Sequence, residues 1–291
     1  MTAPARFLPV AAALFTGIQV GAALVVSRYV IDQITPANLA MLRYAIGFLC
    51  LAPAVVLISR QGFKRQDIIP ICALGIFQFG ILVALLNYAV RFLPSAQVAL
   101  IFSTFPLQTL VLAFLLGKET ITFTKTLGVL LTIAGVAVTL GPDLFSTSSS
   151  DMEWTAILAV LCSAFIGAVC SIFYRPFLDR YPAQNVSTLA MLASVIVLFG
   201  YSAARSELAS IELLNAAGWS AVLFIGLSSG AGYFAWLWAL KYLPPTRVTI
   251  FLSLGPISST VLGAFFLAEP VTLPLIAGIG LVVTGLSIGF K

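Results

Sequence analysis

The chain has no histidine, and only 9% of its 291 residues are charged, against about 25% in a soluble domain. Without histidine it lacks the side chain that most often binds transition metals and moves protons near neutral pH. Acids are missing where they would count: no Asp or Glu falls near the middle of any apolar stretch, which leaves no midplane proton relay. The four cysteines, Cys50, Cys72, Cys162 and Cys170, all sit in apolar stretches without metal-like spacing. They read as small buried hydrophobes rather than ligands or disulfide partners. An intramembrane enzyme would need a nucleophile with its base, or a metal cluster, and finds neither here. A channel would need a filter loop or a ring-forming motif, and the sequence offers none. No cofactor and no metal is implied.

What remains is apolar. Hydrophobic residues make up 60% of the chain, and the mean hydropathy is +1.09. Ten apolar segments can be placed near 7–27, 37–59, 68–90, 95–116, 126–141, 154–174, 184–203, 215–240, 246–267 and 273–290. Each approaches the ~20 residues that cross ~30 Å of hydrocarbon. Lipid offers no partner to backbone polar groups, so these segments must be helices. The expected fold is an all-α polytopic membrane protein with ten transmembrane helices and the bilayer as its partner. The first segment follows Arg6 as a signal peptide would, but no small-residue cleavage site follows it.

The chain also repeats itself. Residues 88–141 can be laid over 238–291 without a gap: Leu93-Pro94 falls on Leu243-Pro244, Val98 on Val248, Ser103 on Ser253 and Pro106 on Pro256. Glu119, Thr122, Gly128 and Gly135 fall on Glu269, Thr272, Gly278 and Gly285. Earlier, Leu39-Ala40-Met41-Leu42 recurs as Leu189-Ala190-Met191-Leu192. The expected units are 1–145 and 154–291, joined by a serine-rich linker over 146–153 that lies outside the cell. With the N-terminus in the cytoplasm, the inner side holds Arg6, Arg60, Lys64, Arg65, Lys118, Lys125, Arg175, Arg180, Lys241, Arg247 and Lys291, and the outer loops only Arg28, Arg91 and Arg205. That bias puts both termini in the cytoplasm. Five helices per unit is an odd number, so the second unit enters from the opposite side and the repeats are inverted, as in many transporters. The net charge of +5 is thereby a topology signal and makes no case for nucleic acid.

Two five-helix halves, a Leu-Pro entering the fourth helix of each, a proline within it and Glu-x-x-Thr leaving it resemble the EamA branch of the drug/metabolite transporter superfamily. Within that branch the chain is similar to the YddG-type exporters of aromatic and other neutral amino acids. The resemblance implies a bacterial inner-membrane exporter whose central cavity is lined mainly by helices 1, 3, 4, 6, 8 and 9, with a small-molecule substrate and no obligatory protein partner.

The residues give their own candidates. Near the midplane fall Gln19, Gln78, Ser103, Thr104, Gln108, Tyr233, Trp236 and Ser253. Gln19, Gln78, Ser103, Gln108, Tyr233, Trp236 and Ser253 are taken as substrate-binding. Ser229, Tyr233 and Trp236 are spaced i, i+4, i+7 and share one helix face. A glutamine here can also simply bond a neighbouring helix, worth ~0.6–2 kcal/mol, and the aromatics can be core. Pro106 and Pro256 each remove a backbone donor; they serve as paired hinges or as passive kinks. Arg43, about two turns into the second helix, is either the contact for a substrate carboxylate or a residue that snorkels or pairs with Asp32. Arg28/Asp32 and Arg175/Asp179 have the spacing of local ion pairs. Glu119 and Glu269 stand at helix ends, where each would cap the start of the next helix.

A carrier of sugar phosphates would need several buried cations, and a multidrug-cation exporter a deep carboxylate. A neutral or zwitterionic solute fits best: export of neutral amino acids, with amphipathic drugs or other neutral metabolites as the alternative. With no midplane acid, transport is expected to follow the solute gradient, as a uniport or an exchange without an obligatory proton. Reporter fusions at Lys291 and Ser149 test the topology. A cytoplasmic signal at the first and an external one at the second are expected; a cytoplasmic signal at Ser149 overturns the inverted repeat.

Overall fold

The computed structural model describes residues 7–58, 62–117, 122–144 and 151–289. Among these residues it is entirely helical. The helices are α1 (Phe7–Val30), α2 (Pro36–Ile58), α3 (Arg65–Gly75), α4 (Leu82–Phe92), α5 (Ser95–Phe102), α6 (Phe105–Leu115), α7 (Phe123–Leu144), α8 (Asp151–Phe173), α9 (Arg175–Arg180), α10 (Ala183–Ala204), α11 (Ala216–Tyr242), α12 (Pro245–Ile250), α13 (Leu254–Leu267) and α14 (Leu273–Gly289). A π-helical stretch, Ile76–Ile81, fuses α3 to α4. A 3-10 turn, Phe251–Ser253, joins α12 to α13. Among the described residues, seven helical segments are long and apolar enough to cross a membrane: Phe7–Val30, Arg65–Phe92, Ser95–Leu115, Asp151–Arg180, Ala183–Ala204, Ala216–Tyr242 and Pro245–Leu267. Phe123–Thr139 and Leu273–Gly289 are shorter apolar helices, and α2 adds a largely apolar helix of 23 residues. The bundle turns Phe123, Leu130, Phe265 and Leu273 outward, as lipid requires. α8 already begins at Asp151, so the expected linker over 146–153 loses its last three residues to a helix.

Prolines punctuate the chain. Pro94, Pro182 and Pro244 hold extended backbone immediately before α5, α10 and α12, where a fixed φ and a missing N–H cost nothing. Asn215 starts α11, its side chain accepting a hydrogen bond from the Gly218 N–H at 2.7 Å.

Polar contacts collect at the two ends of the bundle and join its halves. At one end, called upper here, Asn38 Nδ2 donates to the Glu207 carbonyl at 2.7 Å and to Ser210 Oγ at 2.8 Å. There too the Asn215 N–H donates to Gln33 Oε1 at 3.1 Å. Arg28 does not pair with Asp32 as its spacing suggested; it reaches the carbonyls of Val90 and Arg91. At the lower end Arg180 Nη1 donates to both Asp67 oxygens, at 2.7 and 2.9 Å, and the Tyr181 hydroxyl donates to Asp67 Oδ2 at 2.7 Å. That hydrogen bond to a carboxylate pushes the Tyr181 phenol above its ordinary value.

The seam between α7 and α14 is built from glycine. A Cβ on Gly128 would stand 2.5 Å from the Gly285 carbonyl oxygen, and one on Gly135 would stand 2.6 Å from that of Gly278. Position rises along α7 as it falls along α14, so the two helices are antiparallel. Gly278 and Gly285 are also the sequence counterparts of Gly128 and Gly135, so each glycine meets the counterpart of the other. This crosswise pairing is what a two-fold axis between equivalent helices produces. Small residues permit such close approach where lipid supplies no hydrophobic drive to association.

Gly135→Ala therefore forces α7 and α14 apart, at the ~1–3 kcal/mol typical of overpacking, and lowers the melting temperature in detergent. Gly280→Ala, on α14 with nothing within 4 Å of its Cβ, should leave that temperature unchanged or raise it, since alanine favours a helix by about 0.5–1 kcal/mol.

Candidate functional site

α2 and α11 touch through glycine: a Cβ on Gly47 would lie 3.3 Å from Gly230 Cα. That approach brings Arg43, one turn away on α2, onto Ser229 of α11. Arg43 Nε donates to Ser229 Oγ at 2.6 Å. Gln19 of α1 donates to the same oxygen from Nε2 at 3.3 Å and to Ser228 Oγ at 3.5 Å. Gly232 leaves room for that amide, because a Cβ there would sit 2.7 Å from Gln19 Oε1. Thr16 Oγ1 donates to the Gly232 carbonyl at 3.1 Å and ties α1 to α11 one turn further on.

Arg43 is 5% exposed. Among the described residues its one hydrogen bond is the Nε bond to Ser229, and no carboxylate pairs with it; the ion pairs found there are Arg180–Asp67 and Arg205–Glu207. The expected snorkelling, or pairing with Asp32, does not occur. Desolvating an unpaired charge costs several kcal/mol. The arrangement leaves both Nη nitrogens, the fork that matches a carboxylate, without an acceptor among the described residues.

An aromatic group continues directly from this cluster. The Arg43 guanidinium stands 5.5 Å from the centroid of the neighbouring Tyr44 ring. Tyr44 lies 5.0 Å from Phe79 and 5.5 Å from Tyr233, and Phe79 meets Tyr233 edge-on at 4.7 Å. Trp236, on the same face of α11, lies 5.9 Å from Phe105 of α6. Phe105 in turn fills the space left by Gly167 of α8, where a Cβ would come within 2.7 Å of the ring. Six of the bundle's long segments thus converge on one buried patch with a cation and neutral hydrogen-bonding groups at one side and aromatic rings at the other.

Gln19, Tyr233, Trp236 and Arg43 are brought together here. Gln78 lies in the π-helical stretch, next to Phe79, buried, with its Oε1 unpartnered; such stretches recur at functional positions. Ser103 spends its hydroxyl on the Ala99 carbonyl of its own helix, at 3.0 Å. Gln108 donates to Thr104 Oγ1 at 3.2 Å and to the Leu161 carbonyl at 3.4 Å. It also lines an apolar groove of about 200 Å³ with Val111, Leu115 and Phe165. Ser253 is buried at the end of the 3-10 turn, whose Phe251 carbonyl packs onto Gly17 of α1.

The breaks in the proline-containing helices, residues 103–104 and 251–253, overlap at the matched pair Ser103 and Ser253. Pro106 sits in the first turn of α6 and Pro256 in that of α13, so the prolines start new helices just past the breaks. Glu269 corrects an expectation: its carboxylate caps α5 of the other repeat unit, where the Ser95 N–H donates to Oε1 at 2.9 Å and Ser95 Oγ to Oε2 at 2.6 Å. Glu119 lies outside the described residues.

Tyr44, Phe79 and Phe105 were not foreseen. Nothing in their spacing separates them from the other aromatics of an apolar chain. Ser229 was within reach, since it shares a helix face with Tyr233 and Trp236.

The EamA-like transporter family model matches residues 7–141 and 154–290. An uncharacterized transporter of Archaeoglobus fulgidus is 28% identical over 92% of this chain and 93% of its own length. A probable terminal-alkyne amino-acid exporter of Streptantibioticus cattleyicolor is 25% identical over 92% of this chain and 85% of its own. A solved structure, described only as a crystal structure of a protein, superposes with a TM-score of 0.72 over 98% of both chains at 20% identity, a likeness of fold. Matched twice along its length and built of apolar helices, the chain is a multi-pass membrane transporter that belongs to the EamA-like family.

Proposed function

We propose that this transporter exports neutral amino acids, aromatic and other apolar ones, across a bacterial inner membrane. The two units, 1–145 and 154–291, act as inverted repeats of five transmembrane helices each, with both termini cytoplasmic, and expose a central site alternately to the two sides. The observation that carries this reading is Arg43, buried beside an aromatic group and without a carboxylate partner among the described residues. The substrate carboxylate takes the two Nη nitrogens, and its side chain lies against Tyr44, Phe79, Tyr233 and, for larger solutes, Trp236. Gln78, with an unfilled carbonyl oxygen, offers an acceptor for the α-ammonium. The relative described as an amino-acid exporter supports the same solute class.

Gradient-driven transport without an obligatory proton goes with this site. Asp67 is the one buried carboxylate among the described residues, and Arg180 and Tyr181 hold it at the lower end of the bundle.

Proteoliposomes should carry Phe and Met and leave an organic cation behind; uptake confined to organic cations or phosphorylated sugars rejects the site. Arg43→Met should raise the KM for Phe about 10- to 150-fold, the ~1.5–3 kcal/mol of a hydrogen bond to a charged group. It should also abolish the preference for Phe over phenethylamine, which lacks the carboxylate. Tyr233→Ala should impair flux more than Trp219→Ala, whose ring is 45% exposed. An imposed pH gradient at equal substrate on both sides should drive no net accumulation.

A further inference from the structure

α5 is a helix without a cap of its own. It starts at Ser95 after Pro94, and Pro94 at its N-cap makes no side-chain cap hydrogen bond. Glu269 supplies the cap from the connection between α13 and α14, through both carboxylate oxygens. Three features are built around that reach. Ala268 takes up the left-handed conformation, with φ +52°, which only a minority of non-glycine residues adopt. The Glu269 N–H donates to the Gly263 carbonyl at 3.2 Å. Gly263 leaves the slot open: a Cβ there would stand 2.5 Å from Glu269 Oε2 and 3.0 Å from Ser95 Oγ.

The clasp also has a mechanical position. α5 is the short piece between the upper end and the break at 103–104. α13 runs from the break at 251–253 to the same end. Glu269 therefore ties the upper pieces of the two broken helices to each other, one from each repeat unit, and leaves the lower pieces, α6 and α12, outside the tie. Segments that meet at paired breaks can swing only if whatever joins their far ends lets go.

We propose that Glu269 is the latch of the upper gate: its bond to Ser95 holds α5 and α13 together while the central site is closed to that side, and opening to that side requires its release. The proposal rests on the alternating-access reading but not on the identity of the solute. Two experiments test it. In a background with Cys50, Cys72, Cys162 and Cys170 replaced by serine, the pair Ser95→Cys and Glu269→Cys is oxidised. Crosslinked protein should exchange substrate at least 10-fold more slowly and recover on reduction; full exchange while crosslinked overturns the latch.

The second needs no substrate. A reporter cysteine, Ser229→Cys, is placed in the central cluster with and without Glu269→Ala. An impermeant thiol reagent is applied from the side on which a cysteine at Val271 is labelled. Glu269→Ala should speed reporter labelling from that side at least fivefold. Unchanged labelling with a lower melting temperature would make Glu269 a static cap and reject the gate. Faster labelling in a protein that carries no amino acid would keep the latch and reject the solute.

Discussion

Hydrocarbon supplies no hydrogen-bond partner, so every backbone polar group in the span must find one inside the protein. The helices are the first consequence. Several hydroxyls follow: Ser103, Thr109, Thr132 and Ser171 return their protons to a carbonyl of their own helix four residues back. The breaks obey the same demand. At 103–104 the chain tightens, with the Ser103 and Thr104 N–H groups donating three residues back to Leu100 and Ile101, so no donor is stranded although the helix changes direction. Against this background Arg43 stands out. It is a full charge buried inside the bundle, and among the described residues its one hydrogen bond goes to a serine.

Two-fold pairing and specialisation divide the molecule between them. The α7–α14 seam uses equivalent glycines on both sides, and the breaks of the two proline-containing helices overlap at Ser103 and Ser253. The site does not follow that pairing. Arg43 has Ala193 as its counterpart, so one repeat unit alone provides the cation, and α11 of the other provides Ser229, Tyr233 and Trp236. A solute bound there touches both units. Such a contact can couple binding to their relative movement, which a site confined to one unit could not do.

Glycine decides how close the working parts come. Gly47 with Gly230 sets the α2–α11 distance at Arg43, Gly232 admits Gln19, Gly167 seats Phe105, and Gly263 admits Glu269. At each, the missing Cβ is filled by a backbone or a polar or aromatic side chain from another segment. Packing in the span is thus a matter of vacated volume rather than of hydrophobic contrast, as expected where the solvent is itself apolar.

Composition and internal repetition were enough to fix the class of protein, the family resemblance, the approximate span positions and the residue types available for a neutral site. These follow from periodicity, length and the cost of charge in lipid, which act on the chain locally. Arg43 was legible for the same reason, since a cation inside an apolar helix needs an account wherever it sits. Its partner was not. Whether Arg43 would snorkel, pair with Asp32 or turn onto Ser229 depended on how near α11 approaches α2, and that distance comes from glycines more than 180 residues apart. The same holds for the rest of the site. Gln108 and Ser103 look like Gln19 in the sequence, but neighbouring helices decide which polar side chains meet at the centre and which are spent on their own helix or on the next one. Glu269 was legible as a helix cap, but which helix it caps was settled only by the packing of the two repeat units, because the recipient N-terminus lies 174 positions away.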